Sequence, residues 1–286
     1  MNDKIKIAWF GKHFGEEPPF VGNEKQGAGG IFFAGCNLRC CFCQNYQISQ
    51  ENLGDKFYSI EELSGIMIDL QSQNCVCIDL VTPTIWYEQI KEAILIAKNS
   101  GLTIPIIWNS NGYEDVDIIK DMNGLVDIYL PDFKYSNNNL AFKYSLLRQG
   151  YGGQAGYVKT AITAIKEMYN QVGLLKFDKN NLAKTGIVIR HLILPNNIEN
   201  SFGVLDEIAK IDRNIHVSLM SQYNPVYNAK NFEEINRKLT QEEFNKVYDY
   251  QLSLGMENGW YQELDSSDCF VPDFERINPF IVAPDI

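Results

Sequence analysis

The chain has 286 residues, 45% of them apolar, and carries 25 basic against 36 acidic side chains, for a formal net charge of −11. That length and apolar share suit one large α/β domain with a full core. The acidic balance argues against nonspecific binding to nucleic acid or anionic membranes, both of which need basic surface.

Residues 1–28 read as an N-terminal extension, and the first ten contain no apolar run that would make a convincing signal peptide. No stretch approaches the ~18 to 20 continuous apolar residues of a membrane span. Seven cysteines, four of them crowded into 36–43, fit a reducing cytoplasm better than a secreted disulfide framework. A strand is expected just before the cysteine loop. Cys75–Val81 reads as a buried strand, and Thr84–Asn99 as a helix with Ile85, Ile90, Ile94 and Ala97 near one face, stopped at Ser100-Gly101. Ile104–Asn109 is the next strand, with Pro105 tolerable near its start. A short helix at Glu114–Lys120 and a strand at Val126–Leu130 follow. A glycine-rich insertion at about 147–157 reads as a flexible loop between two helices. Strands at Gly186–Leu194 and Ile215–Met220 flank a helix at Ser201–Lys210. The last helix, Thr240–Leu254, opens with Thr240 and Glu243 in capping-box spacing.

Strand–helix alternation implies parallel pairing with helices outside, in about six units of a single domain over 1–286; a full eight-unit barrel needs more chain. In such a layout the cysteine loop, Thr82, Asn109, Asp132 and Arg190 all fall at or near carboxyl ends of strands, where they converge on one mouth.

Cys36, Cys40 and Cys43 have C-x3-C-x2-C spacing. Thiolates this close on a short loop can hold one iron–sulfur cluster, and three are one too few for four irons, so one metal stays open to an outside molecule. A structural zinc knot needs four ligands, usually from two separated pairs. Cys41 reads as a packing residue, Cys75 and Cys77 as buried thiols sharing one strand face, and Cys269 has no assigned role. His191 and His216 read as structural, and Tyr113, Tyr135 and Tyr223 as side chains shaping the substrate side.

The cysteine spacing, with Phe42 just before the last thiol, resembles the radical S-adenosylmethionine (SAM) superfamily. The resemblance extends from about Phe14 to the C-terminus through Gly29–Gly35, Gln44–Ser49, Asp79–Thr84, Asn109–Tyr113, Asp127–Tyr135, Arg190–Pro195 and Val217–Tyr223. In this order the segments are similar to the pyruvate formate-lyase-activating-enzyme-like branch. The resemblance implies a partial (β/α)6 TIM-like barrel, with which the unit count agrees, and two cofactors, a 4Fe-4S cluster and SAM. It implies reductive cleavage of SAM to a 5′-deoxyadenosyl radical that abstracts hydrogen from a substrate, a glycine of a glycyl-radical enzyme in the activase-like case. The alternatives are a maturase of another protein, peptide or small molecule and, from another class, an iron–sulfur electron-transfer protein.

On this resemblance Cys36, Cys40 and Cys43 hold the cluster, and Phe42 stacks on adenine. The family's usual Gly-Gly-Glu segment is replaced by Val81-Thr82-Pro83, which leaves the main chain, helped by Thr82, to meet the SAM amino group. Asn109, Ser110 and Asn111 line the ribose and methionine side. Lys134 and Arg190 supply cations near the SAM carboxylate, where charge-assisted bonds are strong, and Asp132 binds a cation or orients Lys134. No additional ferredoxin-type cysteines accompany the loop, so the electron comes from an external donor, a flavodoxin or ferredoxin. The expected partners are that donor and a protein substrate, with no nucleic acid and no membrane.

Overall fold

The computed structural model describes residues 4–51, 53, 56–145, 156–262 and 271–280. In chain order the strands are β1 (Lys4–His13), β2 (Ala28–Phe33), β3 (Lys56–Ser59), β4 (Ile78–Val81), β5 (Ile106–Ser110), β6 (Ile128–Pro131), β7 (Lys176–Phe177), β8 (Ala183–Leu192), β9 (His216–Met220) and β10 (Gly259–Tyr261). The helices are α1 (Pro18–Val21), α2 (Tyr46–Ser49), α3 (Ile60–Ser72), α4 (Tyr87–Asn99), α5 (Val116–Asp121), α6 (Asn138–Ser145), α7 (Gly156–Val172), α8 (Ile198–Ile211) and α9 (Gln241–Ser253).

Among the described residues the strands form one sheet in the order β10-β9-β8-β6-β5-β4-β2-β1-β3, with β7 hairpinned onto β8. From β10 to β2 every neighbour on that path is parallel. β1 runs antiparallel to β2, and β3 antiparallel to β1. The ends of the path, β10 and β3, do not meet, so the sheet is an open, partial barrel. The six expected units are β2, β4, β5, β6, β8 and β9. The structure adds β10 as a further parallel strand, and the segment expected to be an extension supplies β1, whose Ile5 and Ile7 are buried.

Side chains alternate along each strand, so the parallel strands carry two apolar faces. Ile78, Leu80, Ile106, Trp108, Ile187 and Ile189 share one core with Leu63 and Met67 of α3 and Ile90 and Ile94 of α4. Ile107, Ile128, Leu130 and Val188 form a second core on the inner face, joined by Phe20. The same alternation turns Asp79, Asn109 and Arg190 inward, away from the helix layer.

Several boundaries differ from the sequence expectation for local reasons. β5 starts only after Pro105, which has no N–H for the ladder but accepts the Ile78 N–H through its carbonyl at 2.8 Å. The helix expected from Thr84 begins as a 3-10 turn, Thr84–Trp86, and becomes α-helical at Tyr87. Cys75 and Cys77 are buried as expected, but a bend precedes β4 and sends them to different cores. They therefore do not share a face. Gly156 and Tyr157 open α7, and the rest of the glycine-rich insertion, like Cys269, lies outside the described residues. The capping box of α9 forms: Thr240 Oγ1 accepts the Glu243 N–H at 3.2 Å, and the Glu243 carboxylate accepts the Thr240 N–H at 3.0 Å.

Candidate cluster and cofactor site

The cysteine loop leaves β2 through Gly35, whose φ of +85° suits a residue without Cβ. It is then fastened from four sides. Gly35 N–H donates to the Ile48 carbonyl of α2 at 3.0 Å. Arg39 and Cys41 N–H donate to the carbonyls of Ser145 (3.2 Å) and Tyr144 (2.8 Å) at the end of α6. The Asn228 N–H donates to the Cys41 carbonyl at 2.9 Å, and the Asn37 amide donates to the Tyr113 carbonyl at 2.7 Å. A loop this tethered presents its side chains in a fixed arrangement before any ligand arrives.

Cys36 and Cys40 are buried and Cys43 is half-buried. Burial pushes the Cys36 thiol up to about 11, and Cys40 adds to the shift. Burial takes Cys43 to about 12, with Cys40 and Cys36 both contributing. Burial also raises Cys40, against a pull downward from Lys134. The three sulfurs therefore lie within one another's field, where ionisation of one disfavours ionisation of the next. A polynuclear cationic group between them would reverse that repulsion, and three soft donors suit iron–sulfur chemistry. No three His, Cys, Asp or Glu side chains among the described residues are placed to hold a single metal ion. Cys41 belongs to the core, and burial takes its thiol to about 12.

The other candidates divide into those at the mouth and those held elsewhere. Asn111 lies beside the loop, its amide donating to Cys36 Sγ (3.3 Å) and Asn37 Oδ1 (2.6 Å). Asn109 donates to Asp79 Oδ2 at 3.3 Å, and its carbonyl accepts the Thr82 N–H at 2.9 Å. Thr82 has φ of +59°, a left-handed conformation that a β-branched residue rarely adopts outside functional sites. Ser110 turns away to accept the Gly112 N–H at 3.2 Å. Gly112 is forced: its φ is +74°, and a Cβ there would lie 2.0 Å from the Asp132 carbonyl. Phe42 is buried, its ring tilted on Tyr223 at 5.7 Å.

Lys134 and Asp132 form an ion pair at the end of β6, their side chains 14% and 22% exposed. Burial alone would lower the Lys134 value, but Asp132 and Cys40 outweigh it and hold the ammonium above the usual lysine range. Arg190 has a different environment from the one expected. Its Nε donates to Glu17 Oε1 at 2.8 Å and its Nη2 to Glu17 Oε2 at 2.6 Å and to Glu16. Burial would raise the Glu16 carboxyl, but Arg190 and then His13 hold it well below the carboxylate range. Asp79 beneath is fully buried, and burial followed by Glu16 pushes it well up.

His191 is structural, bonded to the Phe133 carbonyl (2.7 Å) and Ser201 Oγ (2.8 Å), and burial brings it down to about 4. Burial likewise lowers His216. Tyr113 and Tyr223 are core residues: Tyr113 stacks on Tyr157 at 5.8 Å, and the Tyr223 hydroxyl donates to the Ile235 carbonyl at 2.8 Å. Glu16, Glu17, Asp79, Ser49 and Ser145 also reach the site, and no local motif distinguished them. Ser49 and Asp79 lie in quoted segments of the resemblance, Gln44–Ser49 and Asp79–Thr84, and Glu16, Glu17 and Ser145 lie in none.

The fold is a partial (β/α)6 barrel with a three-thiol loop at its mouth. Residues 31–177 match the family model described as the radical SAM superfamily, and the chain belongs to that superfamily. Its members use a 4Fe-4S cluster and SAM and draw an electron from an external donor. An uncharacterized protein of Methanocaldococcus jannaschii is 32% identical over 244 residues, 82% of this chain and 63% of that protein. SuiB of Streptococcus suis, solved bound to S-adenosylmethionine, superposes with a TM-score of 0.52 at 12% identity, over 84% of this chain and 48% of that one. The FeFe-hydrogenase maturase HydG of Carboxydothermus hydrogenoformans gives 0.54 at 14% identity, over 79% and 50%. These two likenesses concern the fold. The chain spans about half the length of both solved proteins and under two thirds of the archaeal relative. Among the described residues no helix is long and apolar enough to cross a membrane.

Proposed function

We propose that Cys36, Cys40 and Cys43 hold the 4Fe-4S cluster, that the adjoining mouth holds SAM, and that the enzyme abstracts hydrogen from a glycine of a partner protein in the manner of an activase. The observation that carries the site assignment is the trio itself: three mutually sensing thiols on a tethered loop, beside one ammonium. The bound cofactors supply the one-electron chemistry. The chain supplies ligands, orientation and a dry mouth.

Lys134 is the side chain we assign to the SAM carboxylate, with Asp132 holding the ammonium in place. The strained Thr82 turn offers main-chain groups to the SAM amino group, and Asn109 and Asn111 line the methionine and ribose side. Arg190 is assigned to fastening the N-terminal segment, because Glu16 and Glu17 occupy its guanidinium. The external donor is a flavodoxin or ferredoxin in a cytoplasmic setting. The activase-like substrate rests on the sequence resemblance to that branch.

The test begins with anaerobic reconstitution, dithionite and SAM, and a search for 5′-deoxyadenosine. A protein that binds iron yet forms none sinks the enzymatic assignment. Incubation with a glycyl-radical enzyme then follows, read by electron paramagnetic resonance. No organic radical on that partner refutes the activase assignment and leaves modification of another protein, peptide or small molecule.

A further inference from the structure

Each sulfur of the C-x3-C-x2-C trio is met by a hydrogen-bonding side chain from outside that spacing. Cys36 Sγ accepts from Asn111 Nδ2 (3.3 Å), as well as from the loop's own Leu38 N–H (3.4 Å), and Cys43 Sγ lies 3.3 Å from Ser49 Oγ. The shortest contact is at Cys40, whose Sγ lies 2.9 Å from Ser145 Oγ, a residue 105 positions further along the chain. Behind it the Tyr135 hydroxyl lies 2.6 Å from the same oxygen. Ser145 and Tyr135 are both fully buried.

We infer that Ser145, oriented by Tyr135, is a positioning residue that raises the reduction potential of the cluster. This rests on the assignment of Cys40 as a cluster ligand. A coordinating sulfur carries no proton and can only accept. Ser145 has one hydroxyl proton, so in the liganded protein that proton points at Cys40. The Tyr135 hydroxyl, whose partner among the described residues is Ser145, then donates to Ser145. The direction of the chain Tyr135 to Ser145 to Cys40 is thus fixed by the number of protons available. A hydrogen bond to a ligating sulfur withdraws charge and favours the reduced, more negative cluster. Burial strengthens the effect, because little solvent competes or screens. An external donor must reach this cluster's potential, so the hydroxyl bears on how readily it accepts an electron.

The hydroxyl can be removed without untying the loop. The Arg39 N–H bonds the Ser145 main-chain carbonyl, which Ser145→Ala retains. Wild type, Ser145→Ala and Tyr135→Phe are reconstituted anaerobically, iron and sulfide are counted, and midpoint potentials are read by electron paramagnetic resonance in a mediated titration. Both variants are expected to hold wild-type iron and to titrate at a more negative potential, Ser145→Ala the further displaced. An unchanged midpoint in Ser145→Ala at full iron content overturns the inference and leaves the cysteine assignment standing. Iron-free wild-type protein overturns both. Should Ser145→Ala fail to assemble a cluster, the midpoint of Tyr135→Phe decides.

Discussion

Replacing Arg190 with Met separates a structural cation from a ligand-binding one. The Arg190, Glu16 and Glu17 side chains are 14%, 7% and 7% exposed, so the variant leaves two carboxylates facing each other almost without water. Breaking a buried ion pair from one side costs about 3–5 kcal/mol. At about 2–4 °C per kcal/mol for a chain of this size, the apo protein should lose roughly 6 to 20 °C in Tm. The triple variant Arg190→Met, Glu16→Gln, Glu17→Gln removes every charge and should recover most of that loss, since apolar or neutral replacement of a buried pair is often tolerated. The pH dependence has a definite sign. Arg190 holds the folded Glu16 carboxyl well below its ordinary value of 4.5, so its stabilisation is present above that pH and is lost as the pH falls further. Arg190→Met should flatten that acid limb. The assay is thermal denaturation of cluster-free protein, followed by circular dichroism across pH without SAM. A variant within about 1 kcal/mol of wild type refutes the clamp, a difference below that expected for any one-sided loss of a buried pair. If SAM affinity alone fell, Arg190 would belong to the cofactor.

Cys40→Ala should abolish both cluster iron and 5′-deoxyadenosine, whereas Cys41→Ala should retain both; colorimetric iron and product analysis check the pair. Lys134→Met should raise the Kd for SAM by about 10- to 100-fold through loss of one charge-assisted bond, read by calorimetry on reconstituted protein. Glu114 is fully buried and accepts from Thr84 Oγ1 (2.8 Å) and Trp108 Nε1 (3.1 Å). Burial raises its carboxyl above 4.5, so its contribution is complete below that value and is lost as pH climbs through the raised one. Denaturant titrations of Glu114→Gln should lack that alkaline-going decline. Gly112→Ala should cost about 2–5 kcal/mol, the sum of a left-handed penalty and a backbone clash, visible in Tm without any cofactor.

What could be read from the sequence was local. The cysteine loop declares itself within eight residues, and the parallel strands β4, β5, β6, β8 and β9 stand out as short apolar runs between polar or glycine-containing segments. Thr240 and Glu243 cap α9 through contacts three residues apart. β1 was hidden because its pattern is half-buried and its partners are antiparallel, in a chain otherwise patterned for parallel units. β10 is only three residues long, too short for a periodic signal. Ser145 stands at the end of α6, and nothing near it in sequence points to Cys40. The Arg190–Glu16 pairing spans 174 positions, and no window of residues contains both.

That long-range pairing changes how the two mouth cations compare. From sequence, Lys134 and Arg190 are equivalent: each is a cation near a strand's carboxyl end. In the fold they differ in what a new carboxylate would have to displace. Arg190 spends its Nε and Nη2 on two carboxylates, one of them held through both oxygens. A ligand drawing the guanidinium away would strand Glu16 and Glu17 in a nearly dry pocket, at a cost of about 3–5 kcal/mol before any gain. Lys134 has three donors, one of them on Asp132, whose carboxylate is the more exposed partner. A ligand carboxylate can share that ammonium without breaking the Asp132 pair. On the proposed assignment, the cation for the ligand is the one whose existing partner is easiest to share, and charge at a strand end alone does not identify it.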